Sequence, residues 1–276
     1  LAKDRTVMPA SSPSLSLRAI RRLHSRKERR QTGRFLAEGI RPVMASLQAN
    51  AAIEMVLYAP ALLRSEHGEM ALDLARSQGV PCGAVDAATF ASISTQENPH
   101  GIACVGRQAW TELDGISCSV RPVVALYAPQ DPGNLGTILR TCDATACSGV
   151  VLIGDCVDPW HPAAVRAAMG ATFSIRLAAT GIDTFASWVD HHRLDVVGTS
   201  DRAAVDYATV AFPQRFVLLM GSERQGLPAA LERLATTMVR IPMAGAVDSL
   251  NLAIATALVL YEARNQQRRS GSLASR

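Results

Sequence analysis

From Val123 to Ile241, short apolar runs rich in β-branched residues alternate with stretches of helical periodicity, and this alternation restricts the fold more than any other feature. Strands are expected at Val123 to Tyr127, Val150 to Ile153, Ser174 to Leu177, Asp195 to Thr199, Phe216 to Met220 and Met238 to Ile241. Helices are expected between most of them, over Leu135 to Ala146, Ala163 to Met169, Ile182 to His192 and Ala229 to Leu234. Strands that are apolar on both faces and separated by helices belong to a parallel sheet covered on both sides, so the class is α/β.

The final helix extends the pattern. Ile241 to Glu262 reads IPMAGAVDSLNLAIATALVLYE: a strand end, a proline, a polar loop and then a helix almost without charge until Glu262. Leu250, Ala253, Ile254, Ala257, Leu258 and Tyr261 fall on one face and Leu252, Ala255 and Val259 on another, which predicts a helix buried most of the way round. At its first turn the free backbone N–H groups and the positive end of the dipole point outward. Ser249 and Asn251 stand there, either as ligand groups or with Asp248 or Ser249 as the N-cap and Asn251 incidental.

With 276 residues, 48% of them hydrophobic, the chain is long enough for two ordinary domains with their own cores. Residues 1–17 are Ser- and Pro-rich without periodicity and are expected to be a disordered tail. Residues 18–107 are expected to form a small α/β domain: a basic helix, strands around Phe35 to Glu38, Ile53 to Tyr58, Pro81 to Val85 and Ile102 to Val105, and helices over Arg41 to Ala49, Ala61 to Ser77 and Asp86 to Ser92. A linker at 108–120, the parallel-sheet domain at 121–265 and a basic tail at 266–276 complete the expected organisation. No apolar run is long enough to span a bilayer and the first twenty residues lack the apolar middle of a signal peptide, which predicts a cytoplasmic protein with no membrane association. The six cysteines form no C-x-x-C pair and no two histidines are spaced H-x-x-x-H, so neither a metal site nor a disulfide framework is signalled. The thiols read as reduced packing residues.

A net charge of +4 says little, but its distribution says more. Arg18, Arg21, Arg22, Arg26, Lys27, Arg29, Arg30 and Arg34 stand against the single acid Glu28. The planar guanidinium fork suits phosphate, so the run reads as a nucleic-acid contact, or alternatively as a solvated helix face.

A nucleotide-binding sheet usually carries G-x-G-x-x-G after its first strand, and that pattern is missing. DPGNLGTILR, Asp131 to Arg140, follows instead. Asn134 stands where a helix N-cap is expected, and Arg140 lies two turns in, where it also reads as an ordinary surface arginine. In the second segment, LLMGSERQGLP from Leu218 to Pro228, a buried strand ends in Gly221, where backbone can approach a ligand closely. Glu223 makes this loop a poor phosphate cradle and suits a cationic or hydroxyl-bearing ligand; the plainer alternative is a turn carboxylate paired with Arg224 or another arginine. Ligands of open α/β sheets bind beyond the carboxyl ends of strands, so this loop and Ala244 to Asp248 are the expected site.

Read in order, DPGNLGTILRTCDA, VLLMGSERQGLP and IPMAGAVDSLNLAIATALVLYE resemble the three motifs of the SpoU (TrmH) family of RNA ribose 2′-O-methyltransferases, in the SPOUT superfamily. Asp158 followed by Pro, and VRAAMG from Val165 to Gly170, also match, and the resemblance covers Val123 to about Arg264. The amino-terminal half, with GRFLAEG from Gly33 to Gly39 and NPHG from Asn98 to Gly101, is similar to the L30e-like substrate-binding domain of ribosomal-RNA members. The resemblance implies a deep trefoil knot at the carboxyl end of the sheet, S-adenosylmethionine bent within it, and a homodimer whose interface includes the first and last helices of the catalytic domain. It places Thr199, Gly221, Ile241, Met243 and Leu250 around the cofactor, and Asn134, Arg140, Glu223, Ser249 and Asn251 at the family's active-site polar positions. Ser222 stands where Asn is common and Arg224 where Gly is common. Arg21, Arg22, Arg26, Arg29, Arg30 and Arg34 are expected to track RNA phosphates, and His100 to meet a base. The implied activity is S-adenosylmethionine-dependent 2′-O-methylation of a ribose, with the added amino-terminal domain favouring large-subunit ribosomal RNA. The alternatives are a transfer-RNA enzyme, an antibiotic-resistance ribosomal-RNA enzyme, or a non-catalytic ribosome-assembly protein.

Overall fold

A computed structural model describes residues 15–118 and 121–271, so most of the expected amino-terminal tail and the last five residues lie outside the described residues. The chain divides into two units, one formed by the residues up to Ala109 together with Asp158–Phe173, the other by Trp110–Val157 and the residues from Ser174 onward.

In the first unit the basic stretch is broken into two helices, α1 (Leu17–Arg22) and α2 (Arg26–Thr32), rather than one. Then come β1 (Arg34–Glu38), α3 (Ile40–Gln48), β2 (Ile53–Tyr58), α4 (Glu66–Ser77), β3 (Cys82–Ala84), α5 (Ala87–Ala91) and β4 (Ile102–Arg107). The four strands form a mixed sheet in the order β1-β4-β2-β3. β4 runs antiparallel to both neighbours, with Leu36 opposite Val105 and Leu57 opposite Ala103, and β2 pairs with β3 in parallel. Ile20 from α1, Leu23 just after it, Leu36, Leu57, Val105 and Phe90 form its core.

The second half of the chain runs β5 (Val123–Tyr127), α6 (Pro132–Ala144), β6 (Gly149–Ile153), α7 (Pro162–Ala167), β7 (Leu177–Thr180), α8 (Ile182–His191), β8 (Asp195–Thr199), β9 (Val205–Asp206), β10 (Phe216–Met220), α9 (Ala229–Glu232), β11 (Thr237–Arg240) and α10 (Leu252–Arg269). Seven strands form one sheet in the order β7-β6-β5-β10-β8-β11-β9, with every neighbouring pair parallel. Val123, Ala125, Val151, Val217 and Leu219 pack with Phe185 and Trp188 of α8. The alternate residues Val124, Leu126, Val150 and Leu218 are equally buried, as a sheet covered on both faces requires.

Several further expectations need correction, among them the helix expected over Ala61 to Ser77, which begins at Glu66. β7 begins at Leu177 rather than Ser174, because a 3₁₀ turn at Ala171–Phe173 delays the strand. β9 was not expected, its two residues being too short to carry a period. The helix expected from Leu250 begins at Leu252 and continues to Arg269, so residues 266–269 of the expected basic tail are helical. That helix is also buried on one face only: Leu252, Ala253, Val259, Leu260 and Ala263 point inward, while Ile254, Leu258 and Tyr261 are 51%, 38% and 47% exposed.

The segment between β6 and β7, expected within the sheet domain, groups with the first unit. Trp160 stacks on Phe35 of β1 at 5.0 Å between ring centroids, and Phe173 lies 5.3 Å from the same ring. All six cysteines are free. Burial pushes the Cys104 thiol up to about 12 and the Cys118 thiol to about 11, which keeps both protonated.

Candidate functional site

The carboxyl ends of β8, β10 and β11, adjacent in the sheet, open onto a cleft of about 620 Å³, and the loop entering α10 closes its far side. Thr199, Gly221, Ile241, Met243 and Leu250 all line it, as do Glu223, Ser249 and Asn251. Eight of the ten expected cofactor and catalytic positions therefore meet in one place.

Each is positioned by a local cause. Gly221 follows β10 directly, where a Cβ would fall 2.4 Å from the Gly226 carbonyl carbon and 2.7 Å from Leu227 N, so a side chain there is excluded. Ser222 and Gly226 exchange backbone hydrogen bonds of 3.1 and 3.0 Å, and Ser222 Oγ accepts the Gln225 N–H at 3.2 Å. The serine thus supplies the side-chain oxygen that an asparagine would offer such a turn. Arg224, also on the rim, is exposed.

Asn134 reaches the cleft residues through hydrogen bonds. It is not the helix cap: Asp131 is, accepting the Asn134 N–H at 2.6 Å, with Pro132 in the first turn of α6. The Asp-Pro pair at a helix start is the sequence signal for this cap. Relieved of capping, the Asn134 side chain donates through Nδ2 to Glu223 Oε1 at 3.1 Å and accepts through Oδ1 from Asn251 Nδ2 at 2.8 Å. Asn251, not Asp248 or Ser249, is the N-cap of α10, its Oδ1 accepting the N–H groups of Ala253 and Ile254 at 2.9 and 3.3 Å. Since that oxygen must accept, Asn251 Nδ2 must donate, and the orientation of the Asn134 amide follows. The free N–H groups of α10 therefore set the direction of a hydrogen-bond chain that ends on Glu223. Ser249 Oγ lies 3.3 Å from Asp248 Oδ1.

Arg140 is not brought to the cleft. It sits on the exposed side of α6, about 9 Å along the axis from Asn134. Among the described residues it makes no hydrogen bond or ion pair.

The arginines expected to meet RNA divide sharply. Arg29 is 1% exposed and cannot track phosphate: its Nε pairs with Asp158 Oδ2 at 2.7 Å, and its Nη1 donates to the carbonyls of Leu23 and His24 at 2.8 and 2.9 Å. Periodicity could not reveal a partner so distant in sequence. Arg34 is half-buried and paired with Glu54 at 2.6 Å. Arg21, Arg22, Arg26, Arg30 and His100 are exposed. Arg21 donates to Ser92 Oγ and Arg22 pairs with Glu28 at 2.6 Å.

Residues 121–261 match the SpoU rRNA Methylase family, and residues 15–104 match the MRM3-like substrate binding domain. The chain is 29% identical over 244 residues to the Bacillus subtilis 23S rRNA (guanosine(2553)-2′-O)-methyltransferase RlmP, covering 88% of this chain and 94% of that one. It is 31% identical over 254 residues to the 23S rRNA (uridine(2479)-2′-O)-methyltransferase of Streptomyces viridochromogenes, covering 89% and 87%. The crystal structure of an AdoMet-bound rRNA methyltransferase from Sinorhizobium meliloti superposes with a TM-score of 0.83 at 35% identity, covering 98% of this chain and 99% of that one. The ordered motifs, the cleft they build and these likenesses agree: the chain belongs to the SpoU rRNA methylase family.

Proposed function

We propose that this protein uses S-adenosylmethionine to methylate a ribose 2′-hydroxyl in large-subunit ribosomal RNA. The observation that carries this reading is the hydrogen-bond chain from α10 through Asn251 and Asn134 to Glu223. It occupies one carboxylate oxygen and leaves Oε2 without a partner among the described residues, on a side chain that lines the cleft. That oxygen is an acceptor for a hydroxyl, held in place before the substrate arrives.

The cleft fits the cofactor. Its volume lies in the usual range for small-molecule sites, and its wall at Gly221 is bare backbone. Thr199, Gly221, Ile241, Met243 and Leu250 would hold S-adenosylmethionine, which when bound supplies an electrophilic methyl group. A ribose hydroxyl is a weak nucleophile and must be oriented and relieved of its proton. Glu223 accepts its hydrogen bond and is the group placed to take its proton as the ether bond forms, while Asn134, Ser249 and Asn251 fix the surrounding geometry. Arg140, exposed on α6 outside the cleft, is assigned the RNA phosphate next to the target ribose; a guanidinium is too weak a base to take the proton. The exposed arginines of α1 and α2 contribute phosphate contacts from the first unit.

The finer architecture follows the family: an L30e-like first unit, a deep trefoil knot at the carboxyl end of the parallel sheet, and a cytoplasmic homodimer. Support for the homodimer comes from Ile254, Leu258 and Tyr261, an exposed apolar stripe along α10, which packs against α6. The substrate assignment is supported by the ribosomal RNA named for the relatives and by the match of residues 15–104 to a substrate-binding domain.

Transfer of labelled methyl from S-adenosylmethionine to RNA, size-fractionated into ribosomal and transfer species, tests the reading. Label is expected in large-subunit RNA and is expected to fall about a hundredfold or more with Arg140→Ala. Label confined to transfer RNA would move the substrate. Cofactor binding without transfer to any RNA would favour a non-catalytic assembly protein.

A further inference from the structure

β1 ends in Glu38, which is only 6% exposed and forms no ion pair among the described residues. Its oxygens are taken by the loop after α5. The Ser94 hydroxyl donates to Oε1, and the backbone N–H and hydroxyl of Thr95 donate to Oε2 at 3.0 and 3.2 Å. Ser94 Oγ in turn accepts the Gln96 N–H at 2.9 Å. Burying a carboxylate is costly even when donors surround it, so the reason for this one lies in what it holds.

The loop is fastened at both ends. Arg21 donates to Ser92 Oγ at 2.6 Å, and His24 Nε2 lies 3.0 Å from the Ile93 carbonyl. At the far end Gly101 has φ of +71°, and a Cβ there would fall 2.7 Å from Leu62 Cβ and 2.8 Å from Leu63 N. Its carbonyl accepts the Ala59 N–H at 2.9 Å, so only glycine can close the loop against this turn. Between the anchors Asn98 and His100 are exposed, and neither makes a hydrogen bond among the described residues. In the same loop Gln96 Nε2 is buried without a partner. Two exposed polar side chains with free donors and acceptors, on a loop fastened at both ends, suit a polar ligand.

We infer that Glu38 is a positioning residue for substrate recognition. Through Ser94 and Thr95 it holds residues 96–100 in the shape that presents Asn98 and His100 to an unpaired nucleotide of the RNA. The inference rests on the RNA substrate proposed above. Unpaired bases expose the donors and acceptors that an amide and an imidazole can read, and α1, which grips the loop, carries the exposed Arg18 and Arg22. Glu38 itself touches no RNA.

The test is steady-state methyl transfer to large-subunit ribosomal RNA by the full chain carrying Glu38→Ala, His100→Ala or both. Each single change is expected to raise the RNA KM about tenfold, the equivalent of one lost hydrogen bond, with kcat held within about twofold. Affinity for S-adenosylmethionine, measured by calorimetry, should not move. The double variant should be no worse than the poorer single one, because both remove the same contact. If Glu38→Ala does not fold, Ser94→Ala combined with Thr95→Val releases the loop from the surface side and should reproduce the KM increase. An unchanged RNA KM in His100→Ala or in the released loop, additive effects in the double variant, or a loss confined to kcat would each overturn the inference. A parent protein that methylates no RNA would count against the proposed function instead. Filter binding of the same RNA then reads the loop directly, and equal binding by parent and His100→Ala would overturn the inference.

Discussion

At the scale of single residues, acceptors and donors decide what each polar side chain can do. Asn251 has its oxygen committed to α10 and therefore donates to Asn134; Asp131 takes the cap of α6 and leaves Asn134 free to relay that polarity to Glu223. His161 follows the same logic in the first unit. Its Nδ1 accepts the Ala163 N–H at 3.2 Å as the cap of α7, which requires that nitrogen to be unprotonated. Burial holds its pKa below the ordinary histidine value, and the neighbouring Arg29, Arg166 and His24 add to this while Asp158 opposes it. The folded state then binds fewer protons at this site than the unfolded state, so the contribution to stability falls as pH drops below about 6.5. Thermal melts at pH 7.5 and 5.5 check this: His161→Asn keeps a capping oxygen, does not titrate, and should narrow the gap between the two melting temperatures. An equal gap in parent and variant would remove His161 from the pH response.

At the scale of elements, α10 presents two apolar faces, one buried within the chain and one assigned to the proposed homodimer. Leu252, Val259, Leu260 and Ala263 bury one face within the second unit, and the outward stripe at Ile254, Leu258 and Tyr261 repeats every three or four residues. Burying a leucine or isoleucine contributes roughly 1.5–3 kcal/mol, and across the proposed two-fold interface each change counts twice. Ile254→Glu and Leu258→Glu are therefore expected to produce monomers in sedimentation velocity while leaving the fold intact by circular dichroism. A parent chain that sediments as a monomer would show that the stripe has another use. The helix was legible in the sequence as unusually apolar, since its composition alone excludes a solvated helix. Which apolar face is covered within the chain depends on where the sheet lies, and no periodicity contains that.

At the scale of the whole molecule, the segment Asp158–Phe173 matters most. It leaves the parallel sheet after β6, completes the first unit and returns at β7. Trp160 and Phe173 cover Phe35, and Asp158 neutralises the buried Arg29. A fragment of residues 15–109 lacks all three partners. Leaving a buried charge uncompensated costs about 3–5 kcal/mol, a large share of the roughly 5–15 kcal/mol that holds an average domain together. Such a fragment is expected to lose its near-ultraviolet circular dichroism and its cooperative denaturant transition; a sharp transition like that of the full chain would make the segment dispensable. The sequence by itself determined the α/β class and the strands Ile53–Tyr58, Val123–Tyr127, Asp195–Thr199 and Phe216–Met220 to the residue, because burial on both strand faces leaves local compositional marks; the positions that line the cleft came from the resemblance of its ordered motifs to the SpoU family. Only the tertiary structure decided that Arg29 is buried, that Asn134 and Asn251 form a relay to Glu223, that Glu38 fastens a distant loop, and that a segment of the second half completes the first unit. Each of these is a pairing between residues far apart in the chain, and such a pairing is fixed by packing and hydrogen-bond geometry, which leave no period in the sequence to read.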